Sequence, residues 1–245
     1  MLKNGFKAVM IIVLALLLHK AAFAASEVVE LPPEELAQES VLPVFDKPVS
    51  VKNRNVVTAG KFDVDVFYGY AMTEPIANVS KLGLGVYYNW SEEHAIGLFF
   101  ANNMSGLSDY AKQIEKTPAT HLDLSKAPMP KNTIMADYNL KAFYGKMSIT
   151  KSLVFNTVLY GSGSLGVVQY EHKTYPAVAV GLGQKFYFNR DWALRFDLRL
   201  YANQGPVPFL GGSKMHEGTP KPSFDEFQER VLYTTNLDIG LSYLF

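Results

Sequence analysis

The chain has 245 residues, 23 basic and 23 acidic side chains, and no cysteine. Zero net charge argues against a nucleic-acid-binding protein, because that class carries a basic excess. A mean hydropathy of +0.02 argues against a bundle of membrane helices. It does not exclude a membrane β-barrel, whose strands are apolar on one face only.

Residues 1–24 have the pattern of a secretory signal peptide. Lys3 and Lys7 precede an apolar run over residues 8–18, which is shorter than the roughly 20 residues of a membrane-spanning helix. The sequence Ala22-Phe23-Ala24 supplies the small-x-small pattern of a cleavage site. We therefore expect the protein to be secreted through the inner membrane.

Residues 25–60 are rich in Glu and Pro and too few to bury a core. They predict a periplasmic extension that leads to the first strand. A contact site for another envelope protein is the functional alternative for the same residues.

Residues 61–245 contain eight segments in which apolar residues alternate with small or polar ones, the period-two pattern of a two-faced strand. In the fourth segment the alternation places Tyr144 with the apolar set and Phe143 with the polar set, and three glycines in the fifth predict a bulge there. Eight strand-like segments predict an all-β fold. Because bacterial membrane barrels have an even number of strands, we predict an eight-stranded antiparallel up-and-down transmembrane β-barrel with an N-terminal periplasmic extension. The segments are 61–70, 82–90, 95–101, 136–145, 154–170, 177–188, 192–201 and 231–245.

The polar face of these strands decides which side is inside. A water-facing set would be rich in long charged side chains, whereas this set combines Gly, Ala and Ser with five acids and four bases. Buried charges need partners, and eight strands enclose just enough room for side chains to fill. We therefore predict a lumen closed by ion pairs. The candidates are Asp63, Asp65, Asp137, Lys141, Lys185, Arg195, Asp197, Arg199 and Asp238.

The connections support the same orientation. With both termini in the periplasm, the long segments 104–133 and 205–230 lie outside, and the short ones at 91–92, 145–153 and 189–191 lie in the periplasm, as in outer-membrane barrels. Aromatic residues are predicted to form a girdle near the periplasmic end. They are Phe62, Trp90, Phe188 and Trp192, with Tyr243 and Phe245 beside them.

The last strand carries a resemblance to a known signal. Asp238, Gly240, Tyr243 and Phe245 resemble the C-terminal recognition signal of bacterial outer-membrane β-barrels. The resemblance implies that the barrel-assembly machinery of a Gram-negative cell envelope binds this strand.

A second resemblance covers roughly residues 50–205. The stretches 51–55 and 59–62, Gly145-Lys146 before Ser152-Leu153, and Gly161 to Gly166 resemble an outer membrane β-barrel domain family of myxobacteria and predatory deltaproteobacteria. That family implies an outer-membrane location and an eight-stranded, porin-like fold, and it implies no reaction.

Candidate catalytic residues are few. His121, Asp123 and Ser125 supply the residue types of a nucleophilic triad, but they lie in a long loop that we expect to be flexible. Glu171-His172 offers two metal ligands where a site needs three or four. We therefore predict no enzyme, no catalytic residue, no metal and no cofactor.

The same long loop suggests an interaction role. Residues 107–116 predict a short helix with Ser108 as its N-cap, and Lys112, Lys116, Lys126 and Lys131 are candidates for lipopolysaccharide phosphates. We expect a structural or surface-interaction protein whose partners are outer-membrane lipid, lipopolysaccharide, the assembly machinery and an envelope or cell-surface partner, without nucleic acid. A small-solute channel and a surface hydrolase that uses Ser125 are the alternatives.

Overall fold

The computed structural model describes residues 54–74, 76–117, 122–150, 153–210, 212–216 and 218–245. The predicted signal peptide at 1–24 and residues 25–53 of the predicted extension lie outside this range. The described chain confirms the predicted closed barrel of eight antiparallel strands, in which each strand pairs with the next and the last pairs with the first. The strands are β1 (Lys61–Ala71), β2 (Ala77–Asn89), β3 (His94–Leu107), β4 (Pro130–Thr150), β5 (Leu153–Tyr170), β6 (Thr174–Tyr187), β7 (Trp192–Pro206) and β8 (Glu229–Leu244).

Several strands are longer than the alternation predicted. β2 begins at Ala77, β3 continues to Leu107 and β4 begins at Pro130, so residues expected in loops belong to the barrel wall. Polar residues occupy both faces at these strand ends, as at Asn102 and Asn103. Hydrophobic alternation therefore ends before backbone pairing does.

The barrel is polar inside and apolar outside. Along β7, Arg195 and Arg199 are 3% and 2% exposed, whereas Leu198 between them is 48% exposed. A soluble barrel would bury the leucine and expose the arginines. The exposed apolar side chains continue around the wall on all eight strands.

Two details of the predicted faces are wrong because the bulge lies in β4 and not in β5. The pairing of β4 with β5 shifts between Lys141 and Phe143, and an extra residue in one strand reverses the faces that follow it. Phe143 is consequently 68% exposed and Tyr144 is 8% exposed. In β5 the even-numbered residues from Asn156 to Tyr170 face the lumen without interruption.

The two long connections, 108–129 and 207–228, leave the barrel at the same end, as predicted. We call this the long-loop end and the opposite one the short-turn end. The expected helix is confirmed as α1 (Asp109–Glu115), with the Ser108 hydroxyl accepting a hydrogen bond from the Ala111 N–H. Among the described residues, no helix is long and apolar enough to cross a bilayer.

The described parts of the long loops pack together, which differs from the expected flexible loop. The Asp123 N–H donates to the Met215 carbonyl at 2.7 Å, and the Lys126 ammonium donates to the His216 carbonyl at 2.5 Å. A small apolar core holds the loops against each other, and we call this unit the loop cap. Its core residues are Ile76, Ala111, Leu124, Ala127, Met215 and Phe227.

Candidate functional site

The middle of the lumen is filled by a chain of opposite charges. Lys185 contacts Asp63 and lies 3.6 Å from Asp65, and Arg195 contacts both Asp65 and Asp197. All five side chains are nearly inaccessible to solvent. An ion in such a place is stable only when paired, because its desolvation costs several kcal/mol.

Arg199 continues the chain toward the long-loop end. Its guanidinium lies 3.0 Å from the Asp137 carboxylate and 3.8 Å from Asp197. The Tyr160 hydroxyl donates to Asp197 at 2.5 Å and the Ser164 hydroxyl donates to Asp137 at 2.6 Å. Each carboxylate is thus bound both by Arg199 and by a hydroxyl group. These side chains fill the lumen at this level.

A third level of the lumen contains an ion pair of which the sequence predicts only one partner. The Lys81 ammonium lies 3.0 Å from the predicted Asp238 and donates to the Tyr201 hydroxyl at 3.1 Å. The predicted second strand begins at residue 82 and therefore leaves Lys81 outside the barrel wall, whereas β2 begins at Ala77. Extending the alternation of Gly83 and Gly85 by one step would have found it.

Lys141 differs from the other predicted members of the network. Its ammonium donates to the Thr58 hydroxyl at 2.7 Å and to the Asn89 side-chain carbonyl at 2.6 Å, so its described partners are neutral. Lys141 lies near the short-turn end, where the residues before β1 close the lumen.

The short-turn end is closed by residues 54–60, the described part of the predicted extension. Val56 packs into an apolar cluster with Tyr144 and Leu244, and the Asn55 and Val56 N–H groups donate to the Tyr144 hydroxyl at 3.2 and 3.3 Å. Gly60 has φ of +76°, a left-handed conformation that favours glycine, and this turn leads the chain into β1.

Glu92, in the turn after β2, holds this closing segment in place. Its carboxylate accepts from the Thr58 N–H at 3.0 Å, the Ala59 N–H at 2.9 Å, the Thr58 hydroxyl at 3.2 Å and Arg54 at 3.2 Å. Partial burial alone would raise the pKa of Glu92, but these four hydrogen bonds lower it below its usual value. The ionised carboxylate is therefore the form that closes this end.

The long-loop end of the lumen is an open vestibule. Its cavity measures about 50 Å³, and the Lys81 ammonium lies in its wall. Glu74, in the connection between β1 and β2, contributes a carboxylate to the same wall, and burial raises the pKa of Glu74. The other polar lining residues are Asn103, Thr133, Tyr170, Tyr201, Asn203, Thr234 and Asn236.

The predicted girdle residues lie on the outer surface at the short-turn end. Phe62 stacks on Phe245 with ring centroids 6.0 Å apart, and Trp192 contacts Tyr243 at 4.9 Å. Trp90 lies 6.0 Å from Tyr138. The predicted Phe188 is exposed and contacts Phe155 edge-on at 5.7 Å. These rings are amphipathic or apolar groups at one level of the wall, the arrangement that suits a membrane–water interface.

The four residues that resemble an assembly signal divide between the two faces of β8. Asp238 faces the lumen and pairs with Lys81, whereas Tyr243 and Phe245 are exposed on the outer wall. A side chain at Gly240 would overlap Phe67 and the Val66 carbonyl. Packing alone therefore explains why glycine stands at this position.

The candidate catalytic residues do not form a described triad. The Ser125 hydroxyl donates to the Asp123 carboxylate beside it, but His121 lies outside the described residues. Asp123 also pairs with Lys126 at 3.4 Å, so the negative charge of Asp123 is balanced by this lysine. In the described part of the chain, no group of three or more His, Asp or Glu side chains is placed to hold a metal ion.

Glu171 and His172 make separate contacts. Glu171 pairs with Lys131 at 3.6 Å and with Lys221 at 3.2 Å, while His172 stacks on Phe224 with centroids 4.5 Å apart. These contacts join the hairpin between β5 and β6 to the last long loop. These contacts give Glu171 and His172 a structural role at the rim of the barrel.

Some lysines expected to meet phosphates have partners within the protein. Lys126 is buried among loop residues, and Lys112 pairs with Asp109 at 3.1 Å. Lys131 retains an exposed side chain beside Glu171. The structure therefore leaves fewer accessible cations in this loop than the sequence suggested.

Comparison with known proteins gives similarity at the level of barrel shape. No family model matches the chain, and no curated protein matches it. The N-terminal β-barrel domain of Pseudomonas aeruginosa OprF has a TM-score of 0.43 at 9% identity, with coverage of 77% of this chain and 99% of that chain. Neisserial surface protein A has a TM-score of 0.41 at 12% identity, with 75% and 97% covered. The outer membrane protein OprG from Pseudomonas aeruginosa has a TM-score of 0.35 at 12% identity, with 79% and 99% covered.

These scores are too low to assign a family or a function. The resemblance to the myxobacterial barrel family and to the C-terminal assembly signal therefore stays a prediction. The structure itself shows an inverted distribution of side chains, with charged residues buried in the lumen and apolar residues exposed on the outer wall.

Proposed function

We propose that this chain is an integral outer-membrane β-barrel protein with a closed lumen and a structural or surface-interaction role. The observation that supports the proposal is the inversion in β7, where two buried arginines flank an exposed leucine. Apolar side chains on every strand are stable in hydrocarbon, and a closed barrel leaves no unpaired strand edge there. The aromatic cluster around Trp192 and Tyr243 suits the headgroup region at the periplasmic side.

The loop cap supports a role at the outer surface. Long outer loops are the usual arrangement in bacterial barrels, and here their described parts share an apolar core and hydrogen bonds. A packed cap presents a fixed surface, which reduces the entropy lost when a partner binds. Lipopolysaccharide and a cell-surface partner are the proposed ligands of this surface.

A closed lumen is favoured over a channel. Asp63, Asp65, Asp197 and Asp137 are all bound by Lys185, Arg195 or Arg199 across the barrel. An ion that enters would have to separate these pairs in a low-dielectric interior, where their attraction is strong. The surface hydrolase has less support still, because Asp123 is paired with Lys126.

Labelling of single cysteines tests the proposal, since the chain supplies no background thiol. Leu198→Cys and Leu182→Cys probe the exposed wall, and Tyr110→Cys probes the exposed face of α1. On intact cells, a membrane-impermeant maleimide should label the Tyr110→Cys variant and leave the two wall variants unlabelled. A lipid-soluble maleimide should label the wall variants.

Equal labelling of all three positions by the impermeant reagent would show that the wall faces water, and the membrane proposal would then fail. Labelling of no position would place the loop cap on the periplasmic side and reverse the proposed orientation. The cysteine-free parent chain measures nonspecific reaction in each case.

A further inference from the structure

The rim of the barrel is uneven where β8 extends beyond β1 at the long-loop end. β8 pairs with β7 as far as Glu229, which lies opposite Pro206. Its pairing with β1 ends at Asn236, opposite Ala71. Residues 229–234 of β8 therefore have a neighbouring strand on one side only. We call the other side of this stretch, which points away from β7, the free edge.

The free edge carries backbone groups that the described chain does not pair. The Met72 N–H donates to the Thr235 carbonyl at 2.8 Å, and the Thr235 N–H donates to the Thr73 hydroxyl at 2.9 Å. Thr235 thus directs both backbone groups away from β7, and alternate residues of a regular antiparallel strand point the same way. The N–H and C=O groups of Tyr233 and Val231 therefore lie on the free edge, without a hydrogen-bond partner among the described residues.

The side chains along the free edge leave it accessible. Val231 and Tyr233 are 55% and 68% exposed on the outer wall, and both residue types favour strands. An exposed apolar strand edge is a template for a second extended chain. Glu229 is neutralised by Lys173 at 2.7 Å, whereas the exposed Arg230 has no ion-pair partner in the described part of the chain. The free edge therefore carries one positive charge.

We propose that the free edge of β8 binds an extended acidic segment of another protein by strand addition, with main-chain hydrogen bonds to Val231 and Tyr233 and a carboxylate opposite Arg230. In this mode of recognition the main chain supplies affinity, and alternate side chains supply specificity. Apolar residues of the segment lie beside the two exposed side chains of the outer wall, because directly opposed residues of antiparallel strands share a face.

A second copy of this chain is a poorer occupant of the free edge. Antiparallel pairing of two free edges about Val231 would place Arg230 opposite Leu232, and pairing about Leu232 would place it opposite Thr234. Neither register gives Arg230 an acidic partner. A foreign segment with one acid at the matching position balances the charge, so charge complementarity favours a different protein.

The test follows the backbone amide signals of Val231 and Tyr233 by NMR, with the full chain refolded in detergent micelles. The probe is the acetylated peptide Val-Thr-Val-Glu-Thr. Antiparallel pairing places its two valines opposite Tyr233 and Val231 and its glutamate opposite Arg230. The position of the free edge outside the cell rests on the proposed function, whereas peptide binding in micelles depends only on the folded barrel.

Two methylated forms of the peptide are matched controls for strand addition. Methyl groups on the nitrogens of both valines block the hydrogen bonds to β8, whereas a methyl group on the nitrogen of the threonine between them points away from β8. We expect the unmodified and the threonine-methylated peptides to shift both amide signals saturably. Methylation of the valines should weaken binding by about tenfold or more, since two hydrogen bonds are lost.

Charge exchange tests the acidic preference. Arg230→Glu should weaken binding of the glutamate peptide by about threefold or more, the size of an exposed ion pair, and should strengthen binding of the peptide with lysine in place of glutamate. Arg190→Glu, at an exposed position of the turn between β6 and β7, is the matched control and should change neither affinity.

No saturable shift with the peptide, or equal binding of the two methylated forms, would overturn strand addition. Unchanged affinities in the Arg230→Glu variant would overturn the acidic preference. A saturable shift of these amides by lipopolysaccharide but not by the peptide would assign the free edge to lipid and overturn the proposal. If the cysteine labelling pattern holds while the peptide does not bind, the proposal for the free edge fails alone.

Discussion

Lys81 and Asp238 form their ion pair across an intervening strand, with the ammonium 3.0 Å from the carboxylate. Both residues stand directly opposite Gly69, Lys81 on one side and Asp238 on the other. A Cβ atom at Gly69 would overlap both side chains. The pair therefore exists because the residue between its partners has no side chain.

Replacing Lys81 should destabilise the barrel strongly. Lys81→Met leaves Asp238 buried without its cation, and breaking a buried pair on one side costs about 3–5 kcal/mol. Urea unfolding of the protein refolded in lipid vesicles measures the change. The double variant Lys81→Met with Asp238→Leu should recover most of the loss, since no uncompensated charge remains. A double variant as unstable as the single one would contradict this explanation.

Adding one methyl group at Gly69 should also destabilise the barrel. Gly69→Ala forces the Lys81 and Asp238 side chains apart, and overpacking of this kind costs about 1–3 kcal/mol. Gly163 is the matched control, because a Cβ atom there meets nothing within 4 Å, and its alanine variant should stay within about 0.5 kcal/mol of the parent. Equal effects at both glycines would show that strand propensity, rather than the clash, sets the cost. Urea unfolding in vesicles again supplies the comparison.

The same arrangement recurs and shows what the sequence could reveal. Gly183 stands between Tyr160 and Asp197, whose hydrogen bond measures 2.5 Å. Alternation alone predicts which residues face inward, and Asp197 and Arg199 are both buried in the structure. It cannot predict pairs two strands apart, because these depend on the register between strands.

The misassigned residues have local causes. Lys81 was missed because its strand extends past the last apolar neighbour of the predicted segment. Phe143 and Tyr144 were reversed because a bulge leaves no mark in the alternation when aromatic residues occupy both faces. Glu74 lines the vestibule from the connection between β1 and β2, and a periodic pattern does not report where a side chain in a connection lies.

Because side chains fill the lumen, we predict that the barrel does not conduct ions. The parent chain should show no conductance steps above background in planar bilayers, because Arg199 lies between Asp137 and Asp197 at 2% exposure. Arg199→Ala should introduce steps, since it removes the guanidinium that occupies this level. Arg230→Ala, at an exposed position of the rim, is the control and should remain silent. Steps of similar size in the parent chain would instead support a channel.

Acid should release the segment that closes the short-turn end. Glu92 has a lowered pKa in the folded protein because hydrogen bonds from residues 54–59 outweigh its partial burial. A group of this kind contributes stability that is fully present above its unfolded pKa, about 4.5 for glutamate, and that is lost as the pH falls through the lower folded value. Hydrogen exchange of the Thr58 and Ala59 amides, which donate to this carboxylate, reports the local loss directly.

Their protection factors, corrected for the intrinsic exchange rate at each pH, should be constant above the unfolded pKa and decrease below it. Glu92→Gln should reduce the protection at neutral pH, because an amide oxygen is a weaker acceptor than a carboxylate. Glu93→Gln changes the neighbouring exposed glutamate and should leave the protection unchanged. The closing role of Glu92 would be excluded if the Glu92→Gln variant kept the parent protection, or if both glutamine variants lost it equally. Protection within β1 should persist in either variant, since the barrel pairing does not depend on this turn.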